Sequence, residues 1–460
     1  MKKSTLYVCL GLLTTLPCPA NSTPSLLGVA TLKGSEDKSG LGMMLENQSD
    51  HANVLGGTGS AFSYAGQGRF VALSDRGPNA AKWNPELDNT TSYVSRFHEI
   101  GMEVRPSKPG SPLPLSVTPT LLNTTLLWSH EPLHYGPMIP PINTPEKYYF
   151  SGRSDNFSDQ DSLSPLHARL DPEGICLSLN GKSVFISDEY GPHIYQFNRS
   201  NGQRERTFTL PEEFGAEALR SNGEEEVKSN SKGRSANRGI EGLTITPDGK
   251  FLVGFVQGPL LQDGGEGGRI NRIIKLEIDS GRTEQYVYDN QVRESDTKSS
   301  GTKTHNSSEI LAINNHEFLV LERDGKGLGD DSQARFKQLF KIDLEGATDI
   351  EKLKISGEDR LLPYAVPKTL FLDIRNALNA KGIKDTEIPA KLEGATFGDD
   401  VKIGGAVLHT LWISSDNDFL PKEGGDNMFF VFGFSEADLG KDHSGGASAL
   451  SRPSQKQINQ

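Results

Sequence analysis

The sequence predicts an all-β protein, an irregular six- or seven-bladed β-propeller with loop insertions. Strand-length apolar runs bounded by Gly, Pro, Asn-Gly or Asp-Gly turns dominate the chain, and long amphipathic helical patterns are nearly absent. One unit recurs: a strand, a turn, and a second strand that ends on acidic or polar residues. Repetition on this scale is typical of a ring of blades. The five clearest copies open at Gly59, Asp171, Arg238, Ser308 and Leu392.

Residues 1–20 are predicted to be a secretory signal peptide. Lys2 and Lys3 form a basic start, and the apolar run at 6–16 is too short to span a bilayer. Small residues that suit cleavage follow this run. Cleavage would leave Cys176 as the one cysteine of the mature chain, so no internal disulfide would stabilise it. The sequence therefore predicts a secreted or periplasmic protein with no membrane span after signal cleavage.

The propeller is expected to occupy residues 24–440, and the Gly-, Ser- and Gln-rich tail at 441–460 is predicted to be disordered. Residues 105–165 carry many prolines and are expected to hold one complete blade and a cap loop. The best helical pattern, at 367–381, suggests an inserted helix on a β scaffold. Insertions in the ring are predicted at residues 201–237, 291–307 and 351–390.

The charge balance disfavours nucleic acid as a partner. Lys and Arg number 48 and Asp and Glu number 60, which gives a formal net charge of -12. A protein that binds a phosphate backbone over a broad surface is normally basic. An acidic chain that binds a small anion must do so locally, through clustered Arg side chains or a bound cation.

Carboxylates recur at fixed points of the repeated unit. Those at the start of a first strand are Glu173, Glu241, Glu309 and Glu393, and those near the end of a second strand are Asp75, Asp188, Glu322 and Asp416. A ring would bring them together, and carboxylates held close together must be protonated, paired with Arg or bound to a cation. Oxygen ligands on irregular loops suit Ca²⁺ better than Zn²⁺. The predicted ligands are a subset of Asp75, Glu173, Asp188, Glu241 and Glu393. In the alternative interpretation, each Glu pairs with an Arg or caps backbone amides.

Three arginines accompany these acids. Arg76, Arg238 and Arg323 each lie within three residues of a repeated carboxylate. Guanidinium groups suit bidentate binding of phosphate or carboxylate, so these residues are predicted to bind an anionic ester substrate. The alternative is that they form Arg–Glu bridges inside the ring.

No strong nucleophile motif is present. Gly57-Thr58-Gly59-Ser60-Ala61 does not have the spacing of a nucleophile elbow, and His193 and His409 stand alone. A Ser-His-Asp esterase is therefore disfavoured. Water activated by Ca²⁺ or by a central carboxylate is the preferred mechanism. The candidate catalytic bases are Asp188, Glu189 and Glu241.

Several of these motifs together resemble the phytase-like domain family, whose members are often labelled "esterase-like activity of phytase". The resemblance spans roughly residues 50–435 and is carried by Leu73-Ser74-Asp75-Arg76-Gly77-Pro78, Asp171-Pro172-Glu173-Gly174-Ile175, Ser187-Asp188-Glu189-Tyr190-Gly191-Pro192, Asn237-Arg238-Gly239-Ile240-Glu241-Gly242-Leu243, Glu322-Arg323-Asp324 and Leu392-Glu393-Gly394. It implies a secreted or periplasmic β-propeller that hydrolyses phosphate or carboxylic esters. The Asp-Asp-x-Asp-Asp-Pro-Ala run of true β-propeller phytases is absent from this chain.

The leading functional hypothesis is an exported, metal-assisted ester hydrolase that acts on phosphoesters. Two alternatives stay open. One is a Ca²⁺-dependent lactonase of the gluconolactonase type, whose neutral cyclic substrate needs no Arg cluster. The other is a non-catalytic propeller that binds a ligand or partner and holds calcium for structure. A propeller fold supports all three.

Overall fold

The computed structural model describes residues 24–79, 84, 86–87, 90–158, 161–290 and 304–452. The predicted signal peptide, residues 1–20, lies outside these ranges, as does the end of the predicted tail, 453–460. Among the described residues, no helix is both long enough and apolar enough to cross a membrane.

Strands dominate the described chain, and its helices are short. The strands are β1 (Ser25–Thr31), β2 (Ala61–Gly66), β3 (Arg69–Leu73), β4 (Arg96–Pro106), β5 (Leu115–Leu126), β6 (Trp128–Ser129), β7 (Tyr148–Tyr149), β8 (Pro172–Leu177), β9 (Ser183–Asp188), β10 (His193–Asn198), β11 (Arg204–Thr209), β12 (Ile240–Ile245), β13 (Phe251–Val256), β14 (Ile270–Glu277), β15 (Thr283–Asp289), β16 (Asn306–Ala312), β17 (Glu317–Arg323), β18 (Lys337–Asp343), β19 (Lys368–Asp373), β20 (Lys391–Ile403), β21 (Ala406–Asp416) and β22 (Met428–Phe434). The α-helices are α1 (Gly223–Ser229), α2 (Glu358–Leu361), α3 (Ile374–Asn379) and α4 (Pro421–Gly424). Short 3₁₀ turns occupy Glu212–Phe214, Leu261–Asp263, Gly265–Gly267, Leu362–Tyr364 and Glu436–Leu439.

The strands form a propeller of five blades. Each blade is a four-stranded antiparallel sheet: β2-β3-β4-β5, β8-β9-β10-β11, β12-β13-β14-β15, β16-β17-β18-β19 and β20-β21-β22-β1. The innermost strands β2, β8, β12, β16 and β20 contact one another in cyclic order, so the ring is closed. We number the blades 1 to 5 in that order.

The prediction of six or seven blades is therefore wrong, while the prediction of an all-β propeller is confirmed. The described residues of 105–165 hold no complete blade. They contribute the end of β4, strand β5 and the short pair β6–β7, and the other described residues form loops. The five repeated segments of the sequence are the five blades.

Strand β1 closes the ring. It pairs antiparallel with β22 as the outermost strand of blade 5, with Ser25 opposite Gly433 and Thr31 opposite Met428. The start of the propeller and the end of its last blade therefore lie in one sheet. Separating them requires the loss of a whole row of backbone hydrogen bonds.

The apolar core lies between neighbouring blades. Strands β9 and β17 are buried along their whole length because each is covered on both faces. At the junction of blades 5 and 1, Phe62 stacks on Phe70 with 4.5 Å between ring centroids, and Trp412 and Phe429 pack beside them. Burial on both faces explains why these strands read as continuous apolar runs and not as alternating patterns.

The glycine of the repeated Glu-Gly pair lies where inner strands approach most closely. A Cβ on Gly242 would lie 2.6 Å from the backbone nitrogen of Ile310 in the next blade. A Cβ on Gly174 would lie 2.8 Å from the nitrogen of Leu243. The narrow axis of a five-membered ring therefore requires glycine at these points, and the preceding Glu is held at the mouth of the ring.

The helix predicted at 367–381 is only partly present. Residues Lys368–Asp373 form β19, the outer strand of blade 4, and α3 begins at Ile374. The side chain of Asp373 accepts a hydrogen bond from the backbone nitrogen of Asn376, which starts the helix at that point. Hydrogen bonding to the edge of β18 therefore makes Lys368–Asp373 a strand, although the leucines before Asp373 have helical spacing.

Residues 441–452, the described part of the predicted tail, pack against blade 4. Lys341 Nζ donates hydrogen bonds to the carbonyl oxygen of Lys441 at 2.6 Å and to Ser448 Oγ at 2.5 Å. Ser448 Oγ also contacts Glu317 Oε1 at 2.6 Å, and the backbone nitrogen of Ser451 donates to Ile313. We call residues 441–452 the C-terminal segment.

Candidate functional site

The repeated carboxylates meet at one end of the ring, where inner strands begin and second strands end. We call this end the acidic mouth. Its charged members are Asp75, Arg76, Asp171, Glu173, Glu189, Arg238, Glu241, Arg323, Glu393, Asp416 and Asp418. Most of the carboxylates are buried, and the partly exposed Arg76 and Arg238 lie at the rim. Burial raises the pKa of Glu173, and repulsion by Glu241 of the next blade raises it further.

The group of carboxylates with the least compensation of charge consists of Asp171, Glu173 and Glu189. One carboxylate oxygen of each lies within 4.8 Å of those of the other two. Glu189 is 1% exposed, and no N–H or hydroxyl group of the described residues donates to its carboxylate oxygens, whose polar contact is with the carboxyl of Asp171. Burial, strengthened by the charge of Asp171, raises the pKa of Glu189 to about 8. A buried carboxylate without partners requires a proton or a cation.

Blade 2 alone builds this group. Asp171 and Glu173 come at the start of β8, and Glu189 directly follows β9, which is the neighbouring antiparallel strand. The backbone nitrogen of Glu189 donates to the carbonyl oxygen of Asp171 at 2.8 Å, which fixes the two ends together. Arg76 from blade 1 contributes one ion pair, between Nη1 and Asp171 Oδ2 at 3.1 Å.

Asp188 does not join this group. Its Oδ1 accepts hydrogen bonds from the backbone nitrogens of Asp171 at 3.1 Å and Tyr190 at 3.0 Å. Its carboxylate therefore caps the turn that positions Glu189. Burial raises the pKa of Asp188 to about 7 against the effect of these two donors.

A second group of three carboxylates joins blades 1 and 5. Oxygens of Asp75, Asp416 and Asp418 lie within 4.8 Å of one another. This group is better satisfied than the first, because Asp416 accepts hydrogen bonds from Ser60 Oγ at 2.8 Å and from the backbone nitrogen of Asp418 at 2.6 Å. Lys391 pairs with Asp418. Burial and the charge of Asp416 raise the pKa of Asp75, and burial raises that of Asp416 to about 7.

Glu241 and Glu393 lie between the two groups and differ in their partners. Gln257 Nε2 donates to Glu241 Oε1 at 2.6 Å, and no ion pair holds Glu241 among the described residues. Burial and the charges of Glu189 and Glu393 raise the pKa of Glu241 well above its usual value. Glu393, in contrast, forms an ion pair with Arg323.

The three predicted arginines have different surroundings. The side chain of Arg323 is 3% exposed and is held by Glu393 and by Ser308 Oγ at 3.0 Å, so it forms an internal bridge. The side chain of Arg76 is 14% exposed and that of Arg238 is 21% exposed. Arg238 reaches outward, with Nε 3.7 Å from Glu266 on the surface. Only Arg76 and Arg238 are therefore open to a ligand.

The profile of one protein family matches this chain across its blades. The family is the phytase-like family, described as "Esterase-like activity of phytase", and the match covers residues 54–419. This protein belongs to the phytase-like family.

A curated relative of this phytase-like protein is an uncharacterized secreted protein of Arthroderma benhamiae. The two are 34% identical over 181 residues, and the match covers 34% of this chain and 34% of the relative. The matched part is thus about a third of the relative's length.

Solved structures that match this chain are far more distant in sequence. One is the periplasmic gluconolactonase of Pseudomonas aeruginosa, at 12% identity and a TM-score of 0.31, with 93% of this chain and 98% of that chain covered. Another is the glutaminyl cyclase of Myxococcus xanthus, at 10% identity and a TM-score of 0.34, with 90% and 100% covered. Likeness at this level does not define a function.

Sequence reasoning on this phytase-like protein missed two members of the three-carboxylate groups. Asp171 directly precedes the Pro172-Glu173-Gly174 motif, and Asp418 follows Asp416 by two residues. An acid beside a repeated acid was the available signal. Glu309, which does carry the repeat, lies away from both groups: its Oε1 accepts hydrogen bonds from the backbone nitrogens of Ile310 and Leu243 at 2.9 and 3.2 Å.

The acidic mouth predicts an unusual pH dependence for the metal-free protein. Glu189 titrates near pH 8 when folded and near 4.3 when unfolded, so between these values the folded state holds the extra proton. We expect the free energy of unfolding to fall from about pH 6.5 to about pH 7.5, by up to about 1.4 kcal/mol per pH unit for each extra proton held. Urea unfolding in EDTA across this range measures it.

The window from pH 6.5 to 7.5 limits two opposing effects. Burial lowers the pKa of His98 to about 4 and of His193 to about 3, so these groups increase stability with pH mainly below about 6.5. Burial also lowers the pKa of Lys337 to about 8, so its opposing effect grows above about pH 7 and matches that of Glu189 near pH 8. A free energy of unfolding that stays level or rises between pH 6.5 and 7.5 in EDTA would contradict the prediction.

Proposed function

We propose that this protein is an exported, metal-assisted ester hydrolase that acts on phosphoesters, with Ca²⁺ held by Asp171, Glu173 and Glu189. The observation that carries the proposal is Glu189, a fully buried carboxylate that no N–H or hydroxyl donor of the described residues satisfies and that contacts another acid, Asp171. Membership of the phytase-like family supports ester hydrolysis as the reaction. Export rests on the predicted signal peptide, and the secreted relative is consistent with it.

The residues present fit a calcium ion. Three carboxylates supply only oxygen ligands, which is the preference of Ca²⁺, and one Oδ1 of Asp171 is also without a hydrogen-bond partner. Arg76 pairs with Asp171 alone and Arg234 acts on Glu189 only through its charge, so a divalent cation would balance the three acids once they are ionised. Asp75, Asp416 and Asp418 form a second candidate calcium site, although hydrogen bonds and Lys391 already satisfy part of it. A bound Ca²⁺ would supply a Lewis acid next to the rim of the mouth.

The rim supports an anionic substrate. Arg76 Nη1 is held in place by Asp171 and by the side-chain oxygen of Asn237, and its side chain is still partly open to solvent. Arg238, the next residue along the chain from Asn237, is also partly open. A phosphoryl group at the rim would meet guanidinium groups suited to bidentate contacts.

Glu241 is the best-placed residue for proton transfer. Gln257 fixes one of its oxygens, and no cation is paired with it directly among the described residues. A carboxyl whose pKa is raised well above the ordinary value exchanges protons closer to neutral pH, which is what a general acid or base requires. Glu189 serves as a metal ligand in this proposal, and Asp188 positions the turn that carries Glu189.

The proposal is tested by turnover with a panel of esters. The purified mature protein is assayed on p-nitrophenyl phosphate, bis-p-nitrophenyl phosphate, phytate, p-nitrophenyl acetate and gluconolactone, with Ca²⁺ and then with EDTA. We expect Ca²⁺-dependent hydrolysis of a phosphoester, and an Arg76→Gln variant with a KM raised about tenfold or more, since charge-assisted hydrogen bonds contribute about 1.5–3 kcal/mol each. Glu224→Gln, on the exposed helix α1, is the matched control that retains activity.

Other outcomes would identify the alternatives. Hydrolysis of gluconolactone alone would indicate the lactonase, with no need for the rim arginines. Calcium that raises Tm without turnover of any ester would indicate a binding propeller with a structural ion. Phosphoester turnover that persists in EDTA would overturn the role of the metal.

A further inference from the structure

Another cluster of metal-ligating side chains lies at the end of blade 4 that is opposite the acidic mouth. His316 precedes β17, Asp343 ends β18, and Glu345 lies in the turn that follows β18. His443 comes from the C-terminal segment, about a hundred residues later in the chain. The blade and the segment therefore bring two imidazoles and two carboxylates together.

Donor atoms of His316, Glu345 and His443 lie within 4.8 Å of one another, and Asp343 contacts both imidazoles. His316 Nδ1 lies 2.8 Å from Asp343 Oδ1 and 3.6 Å from Glu345 Oε2. His443 Nδ1 lies 3.0 Å from Asp343 Oδ2 and 3.8 Å from Glu345 Oε2. Metal–ligand distances of about 2.0–2.2 Å place the corners of a tetrahedron about 3.3–3.6 Å apart. The two imidazoles contact different oxygens of Asp343 at 2.8 and 3.0 Å, so both rings must turn from these hydrogen bonds before all four residues bind one ion.

We infer that His316, Asp343, Glu345 and His443 form a Zn²⁺ site that fastens the C-terminal segment to blade 4. Imidazole with carboxylate is a ligand set of Zn²⁺ and of neighbouring transition metals, whereas Ca²⁺ and Mg²⁺ take oxygen ligands. The two carboxylates would balance the charge of the ion. This site is chemically distinct from the all-oxygen groups of the acidic mouth.

The backbone already orients one ligand. Asp343 accepts hydrogen bonds from the backbone nitrogens of Glu345 at 2.9 Å and His443 at 3.1 Å, which hold its carboxylate between the two rings. The side chains of His443 and Glu345 are 42% and 58% exposed, so an ion can reach them from solvent. The ion would add a cross-link between two parts of the chain that are held otherwise by Lys341, Glu317 and Ser448.

The C-terminal segment also lines a cavity on the axis of the ring. After His443 it runs to Ser451 and Arg452, which line a cavity of about 310 Å³ at the end of the axis opposite the acidic mouth. Arg452 pairs with Asp400 at 2.8 Å on that rim. Zinc at His443 would therefore stabilise one wall of this cavity.

The test is zinc binding by the mature protein and its variants. The protein is stripped with EDTA, desalted and saturated with Ca²⁺ to occupy the acidic mouth, and ZnCl₂ is then titrated by calorimetry. We expect one Zn²⁺ to bind, and His443→Ala to weaken binding at least about 100-fold, because even second-shell partners change metal affinity by about 10–100-fold. Co²⁺ in place of Zn²⁺ should give the visible absorption of a tetrahedral site in the parent and not in His443→Ala.

Two controls make the result decisive. His130→Ala removes an exposed histidine on a distant loop and should leave zinc binding unchanged. Zn²⁺ should also protect the bond after Lys441 from trypsin in the parent and in His130→Ala, but not in His443→Ala. No zinc heat in the parent, or equal binding by His443→Ala and the parent, would overturn the inference.

Discussion

Glu189→Gln is expected to stabilise the metal-free protein and to remove most of the stabilisation that Ca²⁺ provides. In the metal-free state, glutamine removes a buried charge next to Asp171 and Glu173, and its amide group can donate to the unpartnered Oδ1 of Asp171. Relief of an unsatisfied buried polar group contributes about 1–3 kcal/mol or more when the group is charged. The parent protein, in contrast, gains about 2.7 kcal/mol from Ca²⁺ at a concentration 100 times its Kd.

The measurement is Tm by calorimetry in EDTA and in a Ca²⁺ series at about pH 8, where about half of the Glu189 carboxyl groups of the folded metal-free parent have lost their proton. The sign of the effect should reverse between the two conditions. In EDTA the variant should melt above the parent, and at saturating Ca²⁺ it should melt below. Glu224→Gln on helix α1 should follow the parent in both. A variant that retains the full Ca²⁺ shift would show that the ion binds elsewhere, for example at Asp75, Asp416 and Asp418.

Gly242→Ala is expected to destabilise the ring severely, although it adds only one methyl group. The new Cβ would lie 2.6 Å from the backbone nitrogen of Ile310 and 2.8 Å from the Cα of Glu309. Backbone atoms of an inner strand cannot move aside without opening the axis. Overpacking of a dense core costs about 1–3 kcal/mol and sometimes more, and contact with backbone on both sides places this substitution at or above the upper end.

The matched control is Gly42→Ala, where an added Cβ meets no atom within 4 Å. Soluble yield, Tm and urea unfolding of the two variants would be compared with the parent. We expect Gly42→Ala to lie within about 0.5 kcal/mol of the parent, as surface changes usually do. Equal stability of Gly242→Ala and the parent would mean that the inner strands are not packed as closely as the structure shows.

The close approach at Gly242 also explains how far the sequence could predict this fold. The Glu-Gly pair and the two-sided apolar strands are local patterns, and they correctly indicated blades and the identity of the inner strands. The number of blades was wrong because it depends on residues 105–165, where β5 and the β6–β7 pair have no repeat to mark them. A proline-rich stretch can be a blade or a long loop, and only its pairing partners decide.

The candidate site, like the fold, could be predicted from the sequence only in part. The repeated acids were visible in the sequence, and the ring does collect Asp75, Glu173, Glu241 and Glu393 at one mouth. Their partners were not visible: Arg323 is held by Glu393, whereas Arg76 and Arg238 lie at the rim. Asp188 faces backbone amides, and its neighbour Glu189 faces other carboxylates. Side chains adjacent on a strand end point in opposite directions, so a shift of one residue changes the role completely.

The sequence by itself determined the β class, the repeated unit, the acidic charge and the residue types available for chemistry, because these depend on local patterning and composition. The tertiary structure alone decided the five-fold closure, the division of the carboxylates into groups, and the meeting of His316 with His443. Each of these depends on contacts between residues far apart in the chain, and such contacts are set by how the blades pack around one axis.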